Sequence, residues 1–278
     1  MSSKKEHSPN KRKLIIFWSL IIVPVLLFFV VMWGAKTGSL GFNDLPSLEE
    51  LENPKSNLAS EIITADGKVI GKYFKENRTN VRYNDLSPHL VDALIATEDE
   101  RFRSHSGIDF RGLVRAVAKL GKAGGASTIT QQLAKMMFHK RESATLTLKI
   151  KQKLQEQIIA VELEKRYTKN EIITMYLNKF DFLNNAVGIA SASQVYFNKK
   201  PKELEIHEAA MLVGMAKNPS YFNPLGRPDT TLHRREVVLF QMKRAGYIDE
   251  AQYDSIRTKP LGLDLSLIHI SEPTRPAI

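Results

Sequence analysis

Cysteine is absent from all 278 residues, which excludes disulfides and thiolate metal ligands. No P-loop glycine pattern, no zinc-ligand spacing and no aromatic-basic strand of the RNA-binding kind occurs either, so nucleic acid is not the natural partner. Acidic residues are the scarcer sign: 30 Asp and Glu stand against 40 Lys and Arg, for a net charge of +10. Part of that excess is local. Lys4, Lys5, Lys11, Arg12 and Lys13 face only Glu6 before the first apolar run. A basic balance of this kind suits anionic lipid or a phosphate-bearing substrate. No internal repeat is visible, and the length holds one medium domain with appendages.

What is present begins with a membrane signal. After the basic tail 1–13, Leu14 to Trp33 is twenty residues without a charge, long enough to span a bilayer as helix. Trp18 and Trp33 sit toward its ends, where amphipathic rings favour the interface. The basic flank predicts a cytoplasmic N-terminus and an exported remainder. A cleaved signal peptide is the rival, but its apolar region is normally shorter, and Gly34-Ala35-Lys36 is a poor cleavage site. Residues 34–59, rich in Pro, Ser, Asn and acids, read as a juxtamembrane linker. Ser60–Ala65 and Lys68–Phe74 flank Asp66-Gly67, which predicts a small β-hairpin. From Leu86 onward the pattern is helical. Ser87-Pro88 opens one helix, and Thr168 with Glu171 has the form of a capping box for another.

The chain is organised around Glu98-Asp99-Glu100-Arg101-Phe102-Arg103-Ser104-His105-Ser106-Gly107. A helix over Leu90–Ala96 delivers two adjacent carboxylates, an aromatic and a histidine to one place. A carboxylate on an apolar helix end is partly desolvated and suited to general-base work; a solvated acidic helix end is the plainer reading. Phe110–Leu120 alternates basic and apolar residues at helical spacing, the pattern of a membrane-surface helix or of an ordinary amphipathic one. Gly124-Gly125-Ala126-Ser127-Thr128 then leads into a helix, an anion-binding design that a simple capped helix would share. Gln132 and Lys135 lie three apart and so share a face. On a long helix from Lys149 to Arg166, with Leu154, Ile158, Val161 and Leu163 inward, Lys153 and Glu156 are again three apart.

The order of these pieces carries more than any one of them. Glu98-Asp99-x-x-Phe102-x-x-His105-x-Gly107, Gly125-x-Ser127-Thr128-x-x-x-Gln132-x-x-Lys135 and Lys153-x-x-Glu156 together resemble the family 51 peptidoglycan glycosyltransferases. In bacteria that family supplies the transglycosylase module of class A penicillin-binding proteins and the monofunctional transglycosylases. Glu171–Asn178, the run from Glu208 through Asn218-Pro219 to Asn223-Pro224, and Arg234–Leu239 complete the pattern. The resemblance covers about residues 60 to 257. Departures are Gln152 where arginine is common, Met136 where asparagine is usual, and Leu183 and Asn185 where glycines are frequent. None removes a carboxylate, so they bear on substrate contacts.

The resemblance implies a mainly α fold: a lysozyme-like helical transglycosylase domain over residues 60–260, with a small N-terminal β-hairpin, preceded by one transmembrane helix. It implies lipid II and the growing glycan chain as substrates, with membrane lipid and other cell-wall synthesis proteins as partners, at the bacterial cytoplasmic membrane. Glu98 is implied as the base and Glu156 as the second essential carboxylate. Ser127, Thr128, Gln132, Lys135 and Lys153 are implied at the diphosphate, while Asp99, Phe102 and His105 hold the Glu98 loop. No cofactor is required by it, with room for a divalent cation, magnesium or manganese, at the diphosphate. A lytic muramidase and an inactive glycan-binding scaffold are the alternatives. The diphosphate motif argues against the first and the intact carboxylates against the second.

Class A penicillin-binding proteins add an acyl-transfer domain marked by Ser-x-x-Lys and Lys-Thr-Gly. Here Lys36-Thr37-Gly38 and the Ser2–Lys5 and Ser8–Lys11 matches lie at the N-terminal end and read as chance. The end, Leu265-Ser266-Leu267-Ile268-His269-Ile270-Ser271, is similar to a translated transposase sequencing adapter. Residues 261–278 are therefore expected to be a non-native tail.

Overall fold

The computed structural model describes residues 80–118, 127–138 and 145–265, two strands before them, and scattered positions nearer the N-terminus. Strand β1 (Ser60–Ile63) pairs antiparallel with β2 (Val69–Tyr73), with a register irregularity at Ile62/Ile63. The Asp66-Gly67 turn lies outside the described residues. So does most of the expected span Leu14–Trp33, of which Trp18, Leu26, Val30 and Trp33 are helical and exposed. Among the described residues no helix is long and apolar enough to cross a membrane.

The remainder is helical. Helix α1 (Pro88–Glu98) starts with proline in its first turn, where a missing N–H costs nothing. There follow α2 (Phe110–Ala118), α3 (Ile129–Phe138), α4 (Leu146–Arg166), α5 (Lys169–Lys179), α6 (Ile189–Phe197), α7 (Ile206–Met215), α8 (Pro228–Arg244) and α9 (Glu250–Arg257). The capping box expected at Thr168 is present with both bonds: Glu171 N donates to the Thr168 hydroxyl, and Thr168 N donates to Glu171 Oε2 at 2.7 Å. Helix α7 is the hub. Every residue from His207 to Met215 is buried, and α8 and α1 pack on it. A helix apolar nearly all round can be stable only in the middle of a core. On the other side α3 packs against α4 and α5. In α4, Ile158 and Leu163 are buried as expected, whereas Leu154 and Val161 are half-buried and Ile159 and Ala160 complete the inner face.

Three features fall outside the expected outline. Leu51, in the predicted linker, is buried in the main core, and its carbonyl accepts a hydrogen bond from the Tyr167 hydroxyl at 2.7 Å. Phe110 and Val114 on α2, and Leu148 and Ile150 at the start of α4, are exposed apolar side chains. The third is a strap beyond α9. Arg235, buried on α8, donates to the carbonyls of Arg257, Lys259 and Pro260. Leu261 is buried, Leu263 and Leu265 pack against the core, and Asp264 N donates to the Tyr196 carbonyl at 2.9 Å. The packed chain extends to Leu265, past the boundary expected at 260, because apolar Leu261, Leu263 and Leu265 are covered by the core.

Candidate active site

Glu98 is the last residue of α1, so its side chain leaves the core as the helix ends. Its Oε2 accepts a hydrogen bond from Gln132 Nε2 at 2.8 Å, and its Oε1 lies 4.0 Å from Arg234 Nη2. From another helix, α4 presents Lys153 and Glu156 one turn apart. Lys153 Nζ donates to Glu156 Oε2 at 2.9 Å and to Ser127 Oγ at 2.8 Å. The Glu156 side chain is only 6% exposed, so its charge is matched by Lys153 within a nearly dry wall. Beside these helices lies a cavity of about 690 Å³ lined by Glu98, Ser127, Gln132, Lys135, Lys153 and Glu156. Lys149 and Lys217 also line it, which sets four lysines against two carboxylates. Such a cavity favours an anionic ligand.

These side chains are the ones whose order along the sequence resembles a known family. The Transglycosylase family model matches residues 66–243. The chain belongs to the transglycosylase family. It is 40% identical over 221 residues to penicillin-binding protein 1A of Escherichia coli, covering 78% of this chain and 25% of that protein. It is 36% identical over 233 residues to penicillin-binding protein 1A of Pseudomonas aeruginosa, covering 82% and 27%. Penicillin-binding protein 1F of Bacillus subtilis is 38% identical over 209 residues, 74% of this chain and 29% of that one. The chain spans between a quarter and a third of the length of these relatives.

Thr128, expected at the diphosphate, lies beneath the cavity together with Asp99, Phe102 and His105 of the Glu98 loop. Thr128 is 1% exposed; its hydroxyl donates to the Gly107 carbonyl at 2.8 Å and accepts from Gln131 N, so it caps α3. Asp99 meets His105 Nε2 at 3.0 Å through both oxygens and accepts from Ile129 N at 3.1 Å. A carboxylate at the start of α3 satisfies a free N–H and opposes the positive helix end. Phe102 is fully buried, with Lys169 Nζ 4.3 Å from its ring centroid. Thr128 thus caps α3 below the cavity, beside Asp99, Phe102 and His105. They fix the loop between α1 and α2 onto α3.

Gly107 explains why that loop runs where it does. Its φ is +88°, and a Cβ there would come within 2.9 Å of the Ala160 backbone. Only glycine lets the loop lie flat on α4, and the Gly107 carbonyl then receives Thr128 and Gln131.

Sequence reading missed Arg234, Tyr176, Phe180 and Lys217. Burial lowers the proton affinity of Arg234 and the Glu98 charge opposes that fall. Tyr176 is 1% exposed and donates to Gln132 Oε1 at 3.0 Å. Its proton affinity is pushed up by burial and then by the Glu98 charge, so it stays neutral. Phe180 stacks on Tyr176, with centroids 5.8 Å apart, and forms part of the cavity wall. Tyr176, Arg234 and Lys217 fall within runs that the resemblance covers, but nothing in those runs shows that they meet Glu98, Gln132 or the cavity, and Phe180 follows the end of α5 without a mark of its own.

Proposed function

We propose that the domain polymerises lipid II into β-1,4 glycan strands with inversion at the anomeric carbon. Glu98 is the base: it takes the proton from the acceptor's sugar 4-hydroxyl, whose oxygen bonds to C1 of the growing chain. The C1–oxygen bond to undecaprenyl diphosphate breaks, and the leaving group keeps the electron pair. Its growing negative charge needs fixed cations in place, and Lys135, Lys149 and Lys153 stand ready with Ser127 beside them. Glu156 orients Lys153 and the donor end. The single observation that carries this reading is the pair of carboxylates, one from α1 and one from α4, lining one lysine-rich cavity. A divalent cation, where one takes part, would be held by the substrate phosphates beside Glu156 and would add charge neutralisation. Among the described residues no three His, Asp or Glu side chains gather into a protein-only cage.

Membrane placement is part of the same proposal. A substrate on a polyprenyl chain stays in the bilayer, and the charge-free run Leu14–Trp33 with its basic flank suits a single-pass anchor. Exposed Phe110, Val114, Leu148 and Ile150 would meet lipid, with Arg111 and Arg115 toward headgroups.

The test is labelled lipid II with the full chain in liposomes, beside Glu98→Gln. The parent is expected to give a ladder of long glycans, and the variant a rate lower by about 10²–10⁴. Fragments released from preformed glycan, with no ladder from lipid II, would replace this reading with a muramidase.

A further inference from the structure

Tyr176 is too deeply buried to touch any substrate, yet its hydroxyl is two hydrogen bonds from Glu98. An amide has one accepting and one donating end, and a half-turn of the Gln132 side chain would exchange them. The flip would aim Gln132 Oε1 at the Glu98 carboxylate, bringing two acceptors together. It would also strand the Tyr176 proton, whose sole side-chain acceptor among the described residues is Gln132 Oε1. The ring cannot swing to another partner, because Phe180 stacks on it and Phe182 meets Phe180 edge-on at 4.8 Å.

We propose that Tyr176 is a positioning residue that locks the Gln132 amide with its N–H on Glu98 Oε2, and so reserves Oε1 as the oxygen that accepts the proton. The need for the lock is greatest once Glu98 has taken its proton. The carboxylate charge that held the amide is then gone, and only Tyr176 preserves the arrangement for the next addition. Neutral tyrosine is required for this, and burial beside the Glu98 charge keeps Tyr176 protonated. Arg234, 4.0 Å from Oε1, faces the oxygen left open. The inference rests on the reading of Glu98 as base.

Tyr176→Phe removes the hydroxyl and keeps the ring. With the full chain in liposomes, kcat on lipid II is expected to fall about tenfold while KM stays within about twofold, since the change misaligns a base without touching a substrate contact. In a Gln132→Met background there is no amide to lock, so the hydroxyl's loss should cost no further rate. The same pair should be non-additive in thermal unfolding, which reads the coupling even where Gln132→Met is too slow to assay. An unchanged kcat, an effect on KM alone, or additive losses in the unfolding cycle would overturn the lock while leaving Glu98 as base. Undiminished polymerisation by Glu98→Gln, or none by the parent, would sink the lipid II reading itself.

Discussion

At the scale of single residues, the site depends on close approaches that only one residue type permits. Gly107 is the sharpest case, because a methyl group there meets the Ala160 backbone and the positive φ is unfavourable besides. Gly107→Ala is expected to cost about 2 kcal/mol or more in stability, measured by denaturant unfolding. It should also slow polymerisation, because the Gly107 carbonyl holds Thr128 and Gln131, the turn from which Gln132 projects. Leu183 and Asn185, read from the sequence as stand-ins for glycine, do adopt left-handed backbone, at φ of 63° and 61°. Asn184 between them does so too, at 50°, and donates to the Tyr196 hydroxyl. The sequence marked Leu183 and Asn185 only as departures from a family pattern, read as bearing on substrate contacts; the backbone conformation is what the structure adds.

At the scale of elements, the strap after α9 behaves as a structural component. Arg235 sits inside the protein with its fork closed on carbonyls of Arg257, Lys259 and Pro260. A chain ending at Arg257 would take away two of those acceptors and the buried Leu261. Thermal unfolding should show it about 3 kcal/mol less stable than one ending at Leu265, and Arg235→Leu should recover part of the loss. The boundary expected from sequence, at 260, keeps all three acceptors but leaves out Leu261. The helices could be read from it because their periodicity and caps are local, as at Thr168 and Glu171. A strap without periodicity shows itself only through the partner that holds it.

For the molecule as a whole, stability is expected to depend on pH through His207 in the central helix α7. Burial lowers its proton affinity below the ordinary 6.5, and nearby Lys259 and Arg235 add to this while Glu208 and Glu205 oppose it. The unfolded chain therefore takes up a proton at a pH where the folded one still refuses it. The stabilisation is complete above 6.5 and is lost as pH falls from there through the native value. The unfolding midpoint should drop as pH falls below about 6.5, and His207→Gln should flatten that drop. The same scale explains what the sequence concealed about the site. Glu98, Lys153 and Glu156 could be singled out because the order of their short motifs along the chain resembles a family, where spacing alone left a plainer reading open. Arg234 and Tyr176 reach Glu98 and Gln132 only after α8 and α5 have packed, and the burial that removes Thr128 from the cavity is likewise decided by tertiary contacts.

Helix α4 has a further consequence as a measure of depth. Ile150 is exposed near its start, Lys153 follows one turn later and Glu156 two turns later. At a rise of 1.5 Å per residue, they stand roughly 5 and 9 Å along the axis from Ile150. With the apolar end set in acyl chains, that is about the thickness of the headgroup layer on one side of a bilayer. The helix would then act as a ruler, holding its cation level with the phosphates of the surrounding lipid. A polyprenyl diphosphate could be handled there without being lifted from the membrane.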